Sequence, residues 1–382
     1  MKNSTLHKAS GLFVLGVVGP MLASSPAFAA SIQTVEDVTH PESAIHKRVE
    51  LYGALRVSVD YSDSDVSSAE ASGNPLLSDG GVSVSSNTSI IGFRGEVPYR
   101  DGYTFLWQYE QQVDIDDVDP KDTWTTRDSF LGLSTPVGSF LVGRLNTPYK
   151  NMSVAYAGYF NTTVAEPRSV LSAPSVGAGG RLGQFAANSI NWKHKIGDVG
   201  LALQYSADQA STVNTVDDND GDSYGAWIDW KPGPLRLGAA YMNYSDAFAS
   251  GKLEAYSLSA KYTLGKWVFG GIFEDIDAGG IDALARKAYG VQLNYTFKPR
   301  WIAVAQWNHA EETPRGDDEA DQYSAGIGHS LSKQVWVYGM YTTTQNGENA
   351  AYRGVDYAHG DKLGTLPGRD PWSFSLGAQL KF

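Results

Sequence analysis

The residues of this sequence that could do chemistry are charged side chains set at strand spacing. In S-I-I-G-F-R-G-E (89–96), Ile91 and Phe93 share one parity, which leaves Arg94 and Glu96 together on the other. Arg56 falls on the polar parity of 49–61, and Gln108 and Glu110 fall on that of 103–113. Between residues 146 and 187, Glu166 is the one acid, set against Lys150, Arg168 and Arg181. Each arginine alone could simply pair with a neighbouring carboxylate such as Glu96. As a set they read differently, because like charges lining one surface make a path for ions.

Catalysis is not expected. G-x-S-x-G, P-loop and H-E-x-x-H patterns are absent. His194, His309 and His329 fall at strand ends, and His329 and Ser330, as sequence neighbours, point to opposite faces of a strand. They cannot form the hydrogen-bonded nucleophile–base pair of a lipid-cleaving site. The run D-D-N-D-G-D at 217–222 misplaces the glycine of a calcium loop and lacks its closing Glu. No catalytic residue, metal site or cofactor follows from the sequence.

The elements that must position these charges are strands. At 372–382, W-S-F-S-L-G-A-Q-L-K-F puts Trp372, Phe374, Leu376, Ala378, Leu380 and Phe382 on one face, and Ser373, Ser375, Gly377, Gln379 and Lys381 on the other. From Val49 onward the same alternation recurs about sixteen times, each run near the ~9–11 residues that a tilted strand needs to cross a bilayer. Short connections (98–102, 136–139, 196–198, 231–234, 264–266, 298–300, 332–334) alternate with long ones (62–85, 114–124, 146–187, 207–222, 245–252, 276–285, 311–321, 343–371). A barrel with tight periplasmic turns and long extracellular loops sorts its connections this way; a Greek-key sandwich does not. Trp192, Trp230, Tyr262, Trp267, Phe297, Trp301 and Trp336 lie next to the short turns and would form an interfacial girdle.

Composition agrees with this reading. The chain of 382 residues holds 41 Gly, 21 Tyr, 14 Phe, 10 Trp and no Cys, which excludes a disulfide framework and thiol chemistry. Mean hydropathy is −0.28, and no apolar run reaches the ~18 residues of a transmembrane helix. Lys2 and Lys8, the apolar run 11–23 and Ala27-Phe28-Ala29 read as a secretory signal peptide over 1–29. Its removal takes two lysines and no acid, so the net charge of −12 becomes −14. So acidic a protein is not a nucleic-acid binder. Residues 30–48 show no period and read as a polar periplasmic leader without structure of its own; the barrel is expected over 49–382.

V-E-L-Y-G-A-L-R-V (49–57), S-I-I-G-F-R-G (89–95), F-L-V-G-R (140–144), R-L-G-Q-F-A-A-N-S-I (181–190) and the terminal strand ending in Phe382 resemble the trimeric general porins of Gram-negative bacteria. The likeness covers nearly all of the chain after Val49, although many members begin their first strand almost directly after the signal. It implies an all-β fold: a transmembrane antiparallel β-barrel of about sixteen strands, usually a homotrimer, with the third long loop folded into the lumen. It also implies wall arginines opposite acidic loop residues, setting a field across the constriction. Carried over, Arg94, Arg144 and Arg181 are the wall candidates, with Arg56, Lys150, Arg168, Glu110 and Glu166 around them. Because Glu166 stands nearly alone, the constriction is expected to be net basic. Loop 146–187 is apolar (Met152, Tyr156, Phe160, Val164, Leu171) in the manner of a segment packed inside a lumen.

The expected function is passive diffusion of small hydrophilic solutes and ions, with a mild anion preference. The expected partners are outer-membrane lipid, lipopolysaccharide and the barrel-assembly machinery, for which Phe382 would be the signal. The alternatives are a substrate-selective channel and a closed, adhesin-like barrel acting through its loops. The acids of 207–222 and 311–321 read as solvated extracellular charge.

Overall fold

A sheet with one apolar and one polar face can sit in lipid only if it curls until no edge remains, because no water is there to satisfy a free backbone group. The structure, a computed structural model, describes residues 33–35, 48–116, 124–172, 181–207, 222–248, 251–279 and 285–382; the side chains of 33–35, 48, 181, 246–248 and 251 lie outside the description. The sheet closes. Sixteen antiparallel strands follow in chain order: β1 (Arg48–Asp63), β2 (Gly81–Ser86 with Ile90–Arg100), β3 (Tyr103–Val113), β4 (Trp124–Thr126 with Ser129–Thr135), β5 (Gly138–Asn146), β6 (Phe185–Ile196), β7 (Val199–Ser206), β8 (Ser223–Trp230), β9 (Leu235–Phe248), β10 (Gly251–Leu264), β11 (Trp267–Asp277), β12 (Arg286–Lys298), β13 (Trp301–Ala310), β14 (Ala320–Ser330), β15 (Val335–Asn346) and β16 (Trp372–Lys381). Each pairs with the next, and β16 returns to β1 with Phe374 opposite Tyr61 and Gln379 opposite Arg56.

Alternation sets which side faces out. On β1, Val59 is 50% exposed while Ser58 is 2%. On β16, Phe374, Leu376 and Leu380 are exposed, while Ser373, Ser375 and Gln379 are buried. An apolar exterior this extensive is stable against lipid and a liability in water. Among the described residues no helix is long and apolar enough to cross a membrane. Trp230, Tyr262, Trp267 and Trp301 stand exposed beside short turns, as the girdle requires. Trp336 does not: it turns into the lumen, 8% exposed, and stacks on Tyr338.

Two further expectations change. Gln33–Val35, inside the supposed structureless leader, forms a short strand paired antiparallel to β1, with Gln33 opposite Leu51. It occupies the edge of β1 that β16 leaves uncovered beyond Phe382. Arg48, the last residue of the expected leader, already belongs to β1; the signal peptide and leader residues 30–32 and 36–47 lie outside the described residues, as do Asp208, Asp217, Asp218 and Asp220. At the seam, Phe382 and Gly53 exchange backbone hydrogen bonds of 3.1 and 3.0 Å. Gly53 leaves room for the Phe382 ring, since a Cβ there would meet its Cζ at 2.5 Å.

The third loop folds inward. Thr147 caps a helix, α1 (Pro148–Ala157), through its Oγ1, and Pro148 supplies the fixed φ favoured at a helix start. The described part of the loop after α1 runs along the inside of β9–β15. Tyr149 and Met152 pack on Met242, Tyr244 and Ala255. Tyr156, Val170 and Leu171 pack on Ile272, Ala288 and Ala310. Phe160 and Val164 pack on Val304, Trp336 and Met340. The last long loop, expected only as an extracellular connection, also enters the lumen: Ala350, Tyr352, Val355 and Leu363 are buried in these clusters.

Candidate functional site

Strand parity and two inward loops leave one open side to the lumen, mainly along β1–β6 and reaching Ala202 of β7, Asp229 of β8 and Arg236 of β9. A cavity of about 670 Å³ remains there, lined by both loops and by the polar faces of these strands. Among the described residues lining it, Lys and Arg outnumber Asp and Glu by more than two to one.

Arg56, Arg94 and Arg144 line this cavity, as do Lys150, Arg168 and Glu110. Arg94 is paired two-fold: its Nε and Nη2 donate to Glu50 Oε2 and Oε1 at 2.8 and 2.5 Å, and not to Glu96. Glu110 is also engaged. It accepts from Tyr52 OH at 3.0 Å and pairs with Arg127 Nε at 2.9 Å. Arg56 donates to the Thr88 carbonyl, and Arg144 Nε donates to Thr126 O at 2.9 Å. The Lys150 ammonium stands 3.2 Å from the centre of the Phe185 ring, with the Arg127 and Arg144 guanidiniums at 4.8 and 5.2 Å from the same centre. Among the described residues, Arg56, Arg144 and Lys150 form no ion pair with a carboxylate. Burial, then the Arg127 and Arg168 guanidiniums, push the Lys150 ammonium well below its ordinary value. Positive charges crowded this closely repel one another, and an anion passing between them relieves that repulsion.

Glu166 is a correction. It is fully buried, accepts from Arg168 Nε at 2.7 Å and Thr162 N at 3.1 Å, and does not reach the cavity. The two loop charges nearest in sequence spend themselves on each other, so the loop offers the open side no free acid from this position. The Arg181 side chain lies outside the described residues.

Sequence reasoning missed Arg127, Lys193, Arg236 and Lys362, all of which line the cavity. Arg127 sits where β4 breaks between Thr126 and Ser129, so alternation loses count just there. Lys362 comes from the last loop, whose inward path no local pattern marks. Lys193 stands opposite Ser139 in the β5–β6 pair, a parity readable in principle.

Wall side chains hold the third loop by its backbone. Lys261 Nζ donates to Ala155 O at 2.6 Å, Gln306 Nε2 to Ala165 O at 2.6 Å, and Arg286 Nη2 to Val170 O at 3.0 Å. Glu274, fully buried, accepts from Ser172 N and Oγ at 2.8 and 2.9 Å. These bonds between wall and loop backbone favour one loop path, because each unmade bond would cost its desolvation.

A closed antiparallel barrel with an apolar outer face, narrowed inside by its own loops, defines the class: a transmembrane β-barrel protein. The model of the Gram-negative porins matches residues 15–349, and the chain belongs to that family. The major outer membrane protein P.IB of Neisseria meningitidis is 28% identical over 219 residues, which make up 55% of this chain and 58% of that protein. The chain thus spans little more than half the length of these curated relatives. An anion-selective porin from Comamonas acidovorans superposes with a TM-score of 0.72 at 21% identity, over 88% of this chain and 100% of that one. The trimer form of OmpT from Vibrio cholerae superposes with a TM-score of 0.63 at 15% identity, over 88% and 99%. These place the protein in the outer membrane with the porin fold.

Proposed function

We propose that the chain forms a channel for passive diffusion of small hydrophilic solutes and ions, with a mild preference for anions. The excess of Lys and Arg over Asp and Glu around the cavity carries this reading. Charges in a narrow, low-dielectric passage act strongly on ions within it. The relative from Comamonas, named as anion-selective, has the same fold. Its identity is too low to transfer selectivity, so the cavity charges must carry the argument.

The assembly is a homotrimer on this reading, supported by the fold shared with the trimer form of OmpT. Lipid meets the apolar exterior, lipopolysaccharide meets the extracellular rim, and the barrel-assembly machinery reads the strand ending in Phe382. Permeation requires no reacting group and no cofactor.

Zero-current potential in a salt gradient across a planar bilayer tests the selectivity. Steady ohmic steps with an anion-side potential are expected. Arg144→Ala combined with Lys150→Ala should move the potential toward cations. A cation-selective wild type, or a double variant with an unchanged potential, would overturn the constriction assignment. Saturation by one solute would mark a selective channel instead, and absence of current a closed, loop-acting barrel.

A further inference from the structure

The last long loop, between β15 and β16, is fastened to the barrel wall by a histidine. His359 is 3% exposed and Asp60 of β1 is 1% exposed. The His359 Nε2 lies 3.1 Å from Asp60 Oδ2, and its Nδ1 lies 2.9 Å from the Asp361 carbonyl oxygen. Neither oxygen can donate when Asp60 is ionised.

The neighbouring hydroxyls do not change this. Ser58 donates its proton to Asp60 Oδ2 at 2.8 Å and accepts from Asn87 Nδ2 at 2.7 Å. Ser85 donates to Asn87 Oδ1 at 2.9 Å and accepts from Asp361 N at 2.8 Å. Both ring nitrogens therefore meet acceptors. A neutral imidazole has one N–H to offer, whereas an imidazolium has two. The site is built for the charged ring.

The surroundings link that ring to the pore. On its own loop, Lys362 Nζ donates to the carbonyls of His359 and Tyr357 at 2.6 Å each, and Asp356 lies 3.8 Å from the same ammonium. From the break between the two segments of β2, Thr88 Oγ1 donates to Ala358 O at 2.5 Å, while the Thr88 carbonyl accepts from Arg56 of β1. From β15, the Tyr338 hydroxyl faces Ser58, Asn87 and the Asp60 charge. Asp356, Tyr357, Ala358 and Lys362 all line the cavity. Movement of this short stretch changes the passage itself.

We propose that His359, as the imidazolium, is the latch that holds the last loop in the lumen, and that loss of its proton releases the loop and alters permeation. The proton passes to lumenal water and no other covalent bond changes. A neutral ring must leave one of its two acceptors facing a lone pair. In a buried site, that exchange of a charge-assisted hydrogen bond for a repulsive contact is costly. His359 is thus a positioning residue for the passage, resting on the channel reading above.

Two measurements test it. In planar bilayers, wild-type channels should be steady at acid pH and show several-fold more frequent substates at alkaline pH. His359→Gln, which offers a donor and an acceptor but no titratable charge, should give a substate frequency that ignores pH, and so should Asp60→Asn. Independently of conduction, trypsin cleavage after Lys362 in membrane-embedded protein, relative to cleavage after exposed Arg315, should rise several-fold with pH in wild type. In His359→Gln that ratio should stay flat. A wild-type ratio that does not change with pH, or a response that persists in either variant, overturns the latch. Absence of current with a pH-dependent cleavage ratio would overturn the channel reading and leave the latch standing. If neither variant inserts, the wild-type cleavage ratio decides alone.

Discussion

The lumen has two unlike halves built on the same strand parity. Along β9–β15 most inward positions are small or apolar (Ala255, Ala288, Ala310, Met242, Met340) or polar groups spent on the loop backbone (Lys261, Arg286, Gln306). They are covered by the third and last loops, with Arg236 of β9 left at the cavity. Along β1–β6 they are charged and long (Arg56, Arg94, Glu110, Lys193) and stay open to the cavity. Facing inward therefore does not mean facing solute. What decides is side-chain volume and charge: small residues admit a loop and let it pack, whereas crowded cations keep a space that only water and ions can fill. One half behaves as a protein core and should respond to mutation by losing stability. The other behaves as a surface and should respond by changing permeation.

The largest expected effect breaks the packed half. Tyr156 is 1% exposed, packs among Val170, Leu171 and Ile272, and donates to Asn308 Oδ1 at 3.1 Å. Truncating a buried aromatic residue costs ~3–5 kcal/mol, so Tyr156→Ala should lower the unfolding free energy in detergent, read from denaturant titration, by about that much. Arg144→Ala, on the open half, removes one hydrogen bond at a partly wet surface and should stay within ~0.5 kcal/mol, as is usual away from packed features. Equal losses in the two variants would erase the distinction between the halves.

This contrast also explains what could be read from the sequence. The barrel and the two faces of β1 and β16 follow from period-two alternation and loop lengths, and the inward third loop from the apolar make-up of 146–187 together with the likeness to the general porins. These are local signals. The partition of the lumen is not local. Ala288 and Ala310 look unremarkable in sequence, and their smallness has meaning only once Tyr156 is known to lie against them. Trp336 looked like a girdle residue because it neighbours a short turn, yet the apolar underside of the third loop gives it an inward partner in Tyr159, at 5.9 Å between ring centres. Glu166 looked like the constriction acid because of its loop, but Arg168, two residues on, reaches it first. Arg127 was hidden by the break in β4, a device that re-aims side chains while spoiling the alternation used to find them.

A middle-sized effect separates the inner face from the outer one. Leu376 is 57% exposed on the lipid side, and Gln379 is 6% exposed on the lumenal side of the same strand. An arginine facing lipid near the midplane costs ~2–4 kcal/mol. Leu376→Arg should therefore cut refolding yield into lipid vesicles sharply, while Gln379→Arg adds one more cation to a wall already rich in them and should refold. Equal yields would mean that the register of β16 against β1 is wrong.

The smallest effect tests whether charge outside the open half matters. Glu311, Glu312, Asp317 and Glu319 stand on the loop between β13 and β14, whose acid excess would favour cations if the whole molecule's charge set selectivity. Asp318 is excluded, because its carboxylate is buried as the partner of Thr313 N and Oγ1 at 2.6 and 2.7 Å. Charges at the mouth act through solution, where screening at physiological salt limits their reach to ~8 Å. Arg144 and Lys150 act inside the passage, where protein walls concentrate the field on whatever passes. Converting these four acids, of which Glu312 and Asp317 are exposed and Glu311 and Glu319 half-buried, to their amides should leave the zero-current potential nearly unchanged at physiological salt. It should move it measurably toward anions only in dilute electrolyte, where the screening length grows to ~30 Å. If the amide variant instead shifted selectivity at physiological salt as much as Arg144→Ala with Lys150→Ala, the mouth and not the open half of the lumen would be the selective element.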